Sequence, residues 1–151
     1  MRLLVNSVVM RKGELAEGLE FFNLLYEDDE FCMELGRAIL AASRLESELT
    51  QFFNANVSNE KIADASLGRL IVFAKKHELI ENMIPVLEML KTQRNYLSHN
   101  LHALFSGLVE ETILQRTDLL DSDVDTFIDR AWQLKENLNG LAEIIARQRN
   151  E

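Results

Sequence analysis

The sequence predicts an all-α fold, an antiparallel bundle of four to five helices. Three observations lead there. The 151 residues include one proline and six glycines, so long helices run unbroken and a turn-rich β architecture is disfavoured. Three long segments carry apolar residues at alternating four- and three-residue spacing, which favours lengthwise packing at shallow angles. The helices are expected to be joined by short loops, and short connections join antiparallel neighbours.

The elements follow in order. Residues 1–28 read as an N-terminal segment, partly helical; residues 29–151 read as the bundle domain. The opening "MRLLVNSVVMRKGEL" mimics a signal peptide weakly: its apolar run is short, is broken by Asn6 and Ser7, and has no small-residue cleavage site. Residues 13–26 look helical, with Gly13 and Gly18 weakening the pattern. The first long helix is expected over Asp29–Phe53, capped by Asp28 or Asp29. Its seam is Phe31, Leu35, Ala38, Ala42, Leu45, Leu49 and Phe52. "NANVSN" then reads as a loop. A shorter helix over Ala63–His77 buries Leu67, Leu70, Ile71 and Ala74. The second long helix spans Asn82–His102, because Pro85 fits only its first turn; its seam is Met83, Leu87, Leu90, Arg94, Leu97, Leu101 and Leu104. Residues 104–120 admit a short strand, an irregular connection or a helix. The third long helix spans Ser122–Arg147, with Val124, Phe127, Ala131, Leu134, Leu138, Leu141 and Ile145 inward. Ser122 and Asp125 resemble a capping box.

Composition narrows the function. The formal net charge is −9, so the mean field repels phosphates, and nucleic acid would need a local basic patch. No segment approaches the roughly 18 apolar residues of a membrane span, and the expected location is cytoplasmic. A single cysteine, Cys32, excludes an intrachain disulfide framework and reads as a core or interface thiol. No Cys/His cluster has zinc spacing, so neither a metal nor a cofactor is expected. Trp132 and the phenylalanines have helical spacing and read as core or interface residues.

The anomaly is Arg94, a guanidinium where the seam calls for leucine. Placed there it needs a carboxylate, a phosphate or solvent. Glu46, in a seven-residue row with Ile39 and Phe53 beside the first seam, is expected to face it. His99 lies about 140° round the helix from Arg94 and about 7.5 Å along it. Asn95, His99 and His102 share a stripe. A second helix or a second subunit would complete any site. Imidazole exchanges protons near neutral pH, guanidinium holds phosphate, and a carboxamide orients oxygens. Together they suit metal-free cleavage of RNA by its 2′-hydroxyl. The bland alternative is an ion pair for Arg94 and a surface histidine at position 99.

The stretch "RNYLSH", Arg94–His99, late in an internal helix, resembles the motif of the HEPN superfamily: arginine, a polar residue, a few more residues, histidine. "LGRAILAASRLESEL" and "SLGRLI" are similar in style, and the resemblance covers roughly residues 30–147. It implies a metal-independent endoribonuclease of toxin or phage-defence type. The protein would act as a homodimer on RNA, with an antitoxin or other protein as a further partner. In it His99 is the acid/base, Arg94 the phosphate stabiliser and Asn95 the positioning group. Lys91 and His102 are candidates for an RNA-contacting rim, to which Arg69, Lys75 and Lys76 would add if the fold gathers them. Lys75 and Lys76 otherwise read as a solvated helix face, and His77 as a helix-end residue. Two other readings share this sequence. One is a non-catalytic HEPN-like dimerising module that binds a nucleotide or a protein. The other is an antitoxin or structural bundle in which Arg94–Glu46 is only an interhelical ion pair.

Overall fold

A computed structural model describes residues 11–63, 65–95 and 117–150. It is an all-α helical bundle. The described helices are α1 (Leu19–Glu27), α2 (Asp29–Asn56), α3 (Leu67–Lys76), α4 (Ile84–Asn95) and α5 (Asp123–Arg149). A 3-10 turn, Glu81–Met83, leads into α4, so Pro85 falls in the first α-helical turn, where its missing N–H costs nothing.

α1 begins later than the pattern of residues 13–26 suggests. Gly13 and Gly18 both have positive φ, 79° and 47°, a conformation that L side chains resist. Gly18 is therefore the point where an extended segment turns into the helix. That segment, residues 11–17, pairs with residues 119–121: Ala16 donates its N–H to the Leu119 carbonyl and Asp121 to that of Glu14, both at 2.8 Å. An isolated antiparallel bridge at Leu15–Leu120 results. The end of the ambiguous 104–120 stretch is thus extended, and residues 104–116 lie outside the described residues.

The capping box expected at Ser122 and Asp125 does not form. Ser122 is already in helical conformation and makes no side-chain cap; instead Asp123 Oδ2 accepts from Leu120 N at 2.8 Å. Asp121, just before, gathers the opposite strand: Oδ1 accepts from Gly13 N at 2.7 Å and Glu14 N at 3.0 Å, and Oδ2 from Lys12 N at 3.2 Å. Burial pushes this carboxyl up, but the N–H donors of Lys12, Gly13, Glu14 and Ser122 outweigh it and hold it below the ordinary aspartate range. A depressed native pKa stabilises the fold above the unfolded value, about 3.9. The benefit is lost as pH falls through the native value. Asp121→Ala should therefore melt below the wild type at pH 7, with the gap closing on acidification below about pH 4. Thermal melts of both proteins at several pH values check this.

At the N-terminus of α2, Asp28 Oδ1 caps Phe31 N at 2.7 Å while its other oxygen takes Arg11 Nη2 at 2.8 Å. Cys32 is exposed rather than part of a core. Its S–H reaches the carbonyls of Leu25 and Tyr26, and burial of the sulfur, then Asp28 and Asp29, pushes its pKa up. That is an unreactive thiol.

The inward residues of α2 are Phe31, Glu34, Ala38, Ala41, Ala42, Leu45, Leu49 and Phe53. α3 buries Leu67, Leu70, Ile71 and Ala74 as its pattern predicts, together with Phe73. Two hydrophobic clusters result. One gathers α3, Leu87 and Leu90 of α4 and the C-terminal halves of α2 and α5. The other joins Ala16, Phe21, Leu25, Phe31, Leu119 and the start of α5 around Phe127, whose ring lies 5.3 Å from that of Phe21 and 6.4 Å from that of Phe31. Trp132, read as a core or interface residue, is 46% exposed, with Lys135 Nζ 5.7 Å from its ring centre.

Ion pairs fix the relative direction of the helices. Glu34 meets Lys135 and Glu48 meets Arg149, each at 2.8 Å, with Arg44–Glu143 at 3.9 Å between them. Residue numbers rise together, so α2 and α5 run parallel. α3 and α4 are antiparallel, since Lys75 pairs with Glu88 while Gly68 lies beside Lys91. Short connections impose antiparallel order only on consecutive helices, and α2 and α5 are not consecutive. Among the described residues no helix is long and apolar enough to cross a membrane.

Candidate functional site: the Arg94–Glu46 groove

Leu87 and Leu90 have no exposed surface and anchor α4 in the larger cluster. Arg94, one turn beyond Leu90, shares that face, but it emerges at the rim, with its side chain 43% exposed. On α2, Leu45 is fully buried and Glu46 stands beside it, its side chain 17% exposed. Arg94 Nε lies 3.9 Å from Glu46 Oε2. This is an ion pair too long for a hydrogen bond. The guanidinium is thus half in water, not desolvated among leucines.

Glu46 has a second task. Its Oε2 accepts the N–H of Leu67 at 2.8 Å. Leu67 opens α3, whose N-cap Ser66 takes Arg69 N at 3.4 Å. The first N–H groups of a helix have no intrahelical partner and favour negative charge, so one carboxylate serves both the start of α3 and Arg94. Asn54 assists by bracketing the loop, with its amide on Ile62 O and its carbonyl on Ile62 N, both at 2.8 Å.

An open groove of about 410 Å³ lies along this junction. From α2 it takes Ser43, Glu46, Ser47, Thr50 and Gln51. Ala65, Ser66 and Arg94 close the other side. The volume is in the range of small-ligand sites. Ser43, Ser47 and Gln51 recur every four residues and form an uncharged polar row about 12 Å long. Sequence reasoning fixed on charged and titratable groups and passed over this row. Its signal, three neutral polar residues at helical spacing in a chain with 27% charged residues, was there to be read.

The lysines of the expected basic rim are paired off, while Arg69 is exposed. Glu88 takes Lys75 at 2.7 Å and Lys91 at 3.3 Å; hydrogen bonds from Lys75, then Lys91, hold its carboxyl below the usual glutamate range. Glu60 takes His77 Nε2 at 2.6 Å and Lys76 at 3.1 Å and is lowered by the same two partners, His77 first. His77 also packs on the ring of Phe73, 4.4 Å away. It is a partnered residue at the end of α3. Asn95 ends α4 as described, with its side chain outside the described residues. His99 and His102 lie outside them entirely. The structure thus brings together Arg94 and Glu46, and sets Lys91 against Glu88 one turn away. Among the described residues no cluster of His, Cys, Asp and Glu could hold a metal ion.

Compared with protein-family models, curated proteins and solved structures, the chain finds no match.

Proposed function

We propose that the protein is a HEPN-type endoribonuclease that cuts RNA without a metal, in the manner of a toxin or phage-defence nuclease. The observation that carries this reading is Arg94: a half-exposed guanidinium on an internal helix, lining a polar groove and facing Glu46, and followed five residues later by His99 in the sequence. In the reaction the 2′-hydroxyl attacks the adjacent phosphorus. His99 accepts its proton, the 5′-oxygen leaves with a proton, and a 2′,3′-cyclic phosphate remains. Arg94 neutralises the charge that builds on the phosphorane oxygens, and Asn95 orients the phosphate. Proton donor and acceptor are needed on opposite sides of the phosphorus, which a homodimer with two facing motifs supplies. An antitoxin-like protein would act by covering the groove. Glu46, the supporting ion pair, sets the angle of Arg94.

The test is cleavage of single-stranded RNA by purified protein in EDTA. His99→Ala should reduce it by at least about a hundredfold. Equal activity in the variant removes His99 from the mechanism.

One observation favours a second reading, a non-catalytic dimerising module that binds a nucleotide or a protein partner. Lys75, Lys76 and Lys91 each face a carboxylate, in a chain of net charge −9, which leaves little free positive charge to track an RNA backbone. That reading predicts nucleotide or protein binding with no RNA cleavage in the same assay.

A further inference from the structure

We propose that Ser47 and Gln51 read one base of the strand whose phosphate Arg94 holds, by hydrogen bonds to the base edge. This rests on the phosphate-binding role given to Arg94 above and names the residues that would give the site its sequence preference. Glu46 Oε2 accepts the Leu67 N–H, and its negative charge is set against Arg94 and repels a phosphate. The Thr50 hydroxyl is turned back onto the Glu46 carbonyl at 2.8 Å. Ser66 Oγ takes the N–H of Arg69. Ser47 and Gln51 set a donor beside an acceptor: both are exposed, and their side chains bond to each other, Gln51 Nε2 to Ser47 Oγ at 3.3 Å. That contact steadies the amide and leaves the Ser47 O–H to donate, the Gln51 carbonyl to accept and the second amide N–H to donate. A donor beside an acceptor on neighbouring side chains is what base-edge recognition requires.

Two further features agree. The described lining of the groove holds no aromatic ring, so stacking, the sequence-tolerant way to hold a base, is not offered there. The row is also uncharged, so beside Arg94 it adds selectivity without competing for the phosphate; phosphate contacts position a strand and base contacts specify it.

The experiment uses the full chain and four uniform 2′-O-methyl hexanucleotides of A, C, G and U, which lack the attacking hydroxyl, with binding read by fluorescence anisotropy. The wild type should prefer one hexamer over the weakest by about tenfold or more, the yield of one good base contact. The double variant Ser47→Ala, Gln51→Ala should bind all four within about twofold, at the affinity the wild type has for its weakest. Arg94→Met should weaken all four alike, as expected of a phosphate contact. Circular dichroism confirms that each variant is folded; both changed α2 side chains are exposed. Equal wild-type affinity for the four hexamers, or preference surviving in the double variant, overturns the proposal. Cleavage of the matching unmodified RNAs runs alongside. Preference without cleavage supports the base-reading row and discards the nuclease.

Discussion

Lys135→Met should lower the stability of the fold by about 3 kcal/mol or more, which in a domain of this size is a fall of roughly 6–12 °C in Tm. Lys135 Nζ sits 2.8 and 3.2 Å from the two oxygens of Glu34, with side-chain exposures of only 12% and 6%. Glu34 is the one charged residue among the buried residues described. Its other cation, Arg37, reaches it at 3.5 Å from a half-exposed position and gives partial relief. Methionine is apolar and close in length to the lysine stem, so the loss mainly reports the missing charge. The pair as a whole is a different matter: replacing both residues by apolar ones of similar size removes the cost of desolvating two ions, and Glu34→Leu with Lys135→Met should come within about 1 kcal/mol of the wild type or exceed it. Urea or thermal unfolding of the two single variants and the double variant measures the coupling. A Lys135→Met protein as stable as the parent would show that Glu34 does not depend on Lys135.

Glu34 also shows where periodicity is legible and where it slips. The spacing of Phe31, Ala38, Leu45 and Leu49 placed α2 and its start correctly. Between Phe31 and Ala38 the inward position could be 34 or 35; the heptad pattern chooses the leucine, which packs half-buried on both clusters, and the fold also turns the glutamate in. At the far end the pattern chooses Phe52, which packs half-buried against the core, while Phe53 is the fully buried ring. α5 repeats this: Leu141 packs half-buried against the core as its pattern predicts, and Ala142 beside it is fully buried. The cause is geometric. A straight helix with 3.6 residues per turn drifts about 20° per heptad against a strict seven-residue repeat, so three heptads shift the seam by more than half a residue. The partner that makes Glu34 tolerable lies on another helix in parallel register, and no local pattern announces a parallel register between helices distant in sequence.

The candidate site was legible in part for the same reason. Arg94 broke an apolar seam, a local signal, and Glu46 followed from the row beside the facing seam. The second use of Glu46, at the first N–H of α3, could not be read, because it depends on how the loop from Asn56 to Leu67 returns along α2. The pairing of Lys75 and Lys91 with one glutamate, and of Lys76 and His77 with another, likewise needs the α3–α4 packing and the path of that loop. A charge count along the chain sees only that acids outnumber bases.

Arg94→Met should cost the fold little and the proposed chemistry much. The pair with Glu46 is 3.9 Å long and 43% exposed on the arginine side, and exposed ion pairs contribute about 0–1 kcal/mol. Glu46 keeps the Leu67 N–H when the guanidinium is gone, so no buried charge is stranded. The melting temperature should stay within roughly 4 °C of the wild type. Cleavage should fall by about a hundred- to a thousandfold, the usual loss when one donor to a developing oxyanion is removed. Arg94→Lys separates charge from shape. It restores a cation but not the planar fork that meets two phosphate oxygens at once, and its rate should lie between the other two. Melts and single-turnover cleavage on the same preparations distinguish the roles of this residue. A Met variant that unfolds makes Arg94 a structural ion-pair partner; a folded Met variant that cuts RNA at the parent rate shows that the scissile phosphate is held by some other group.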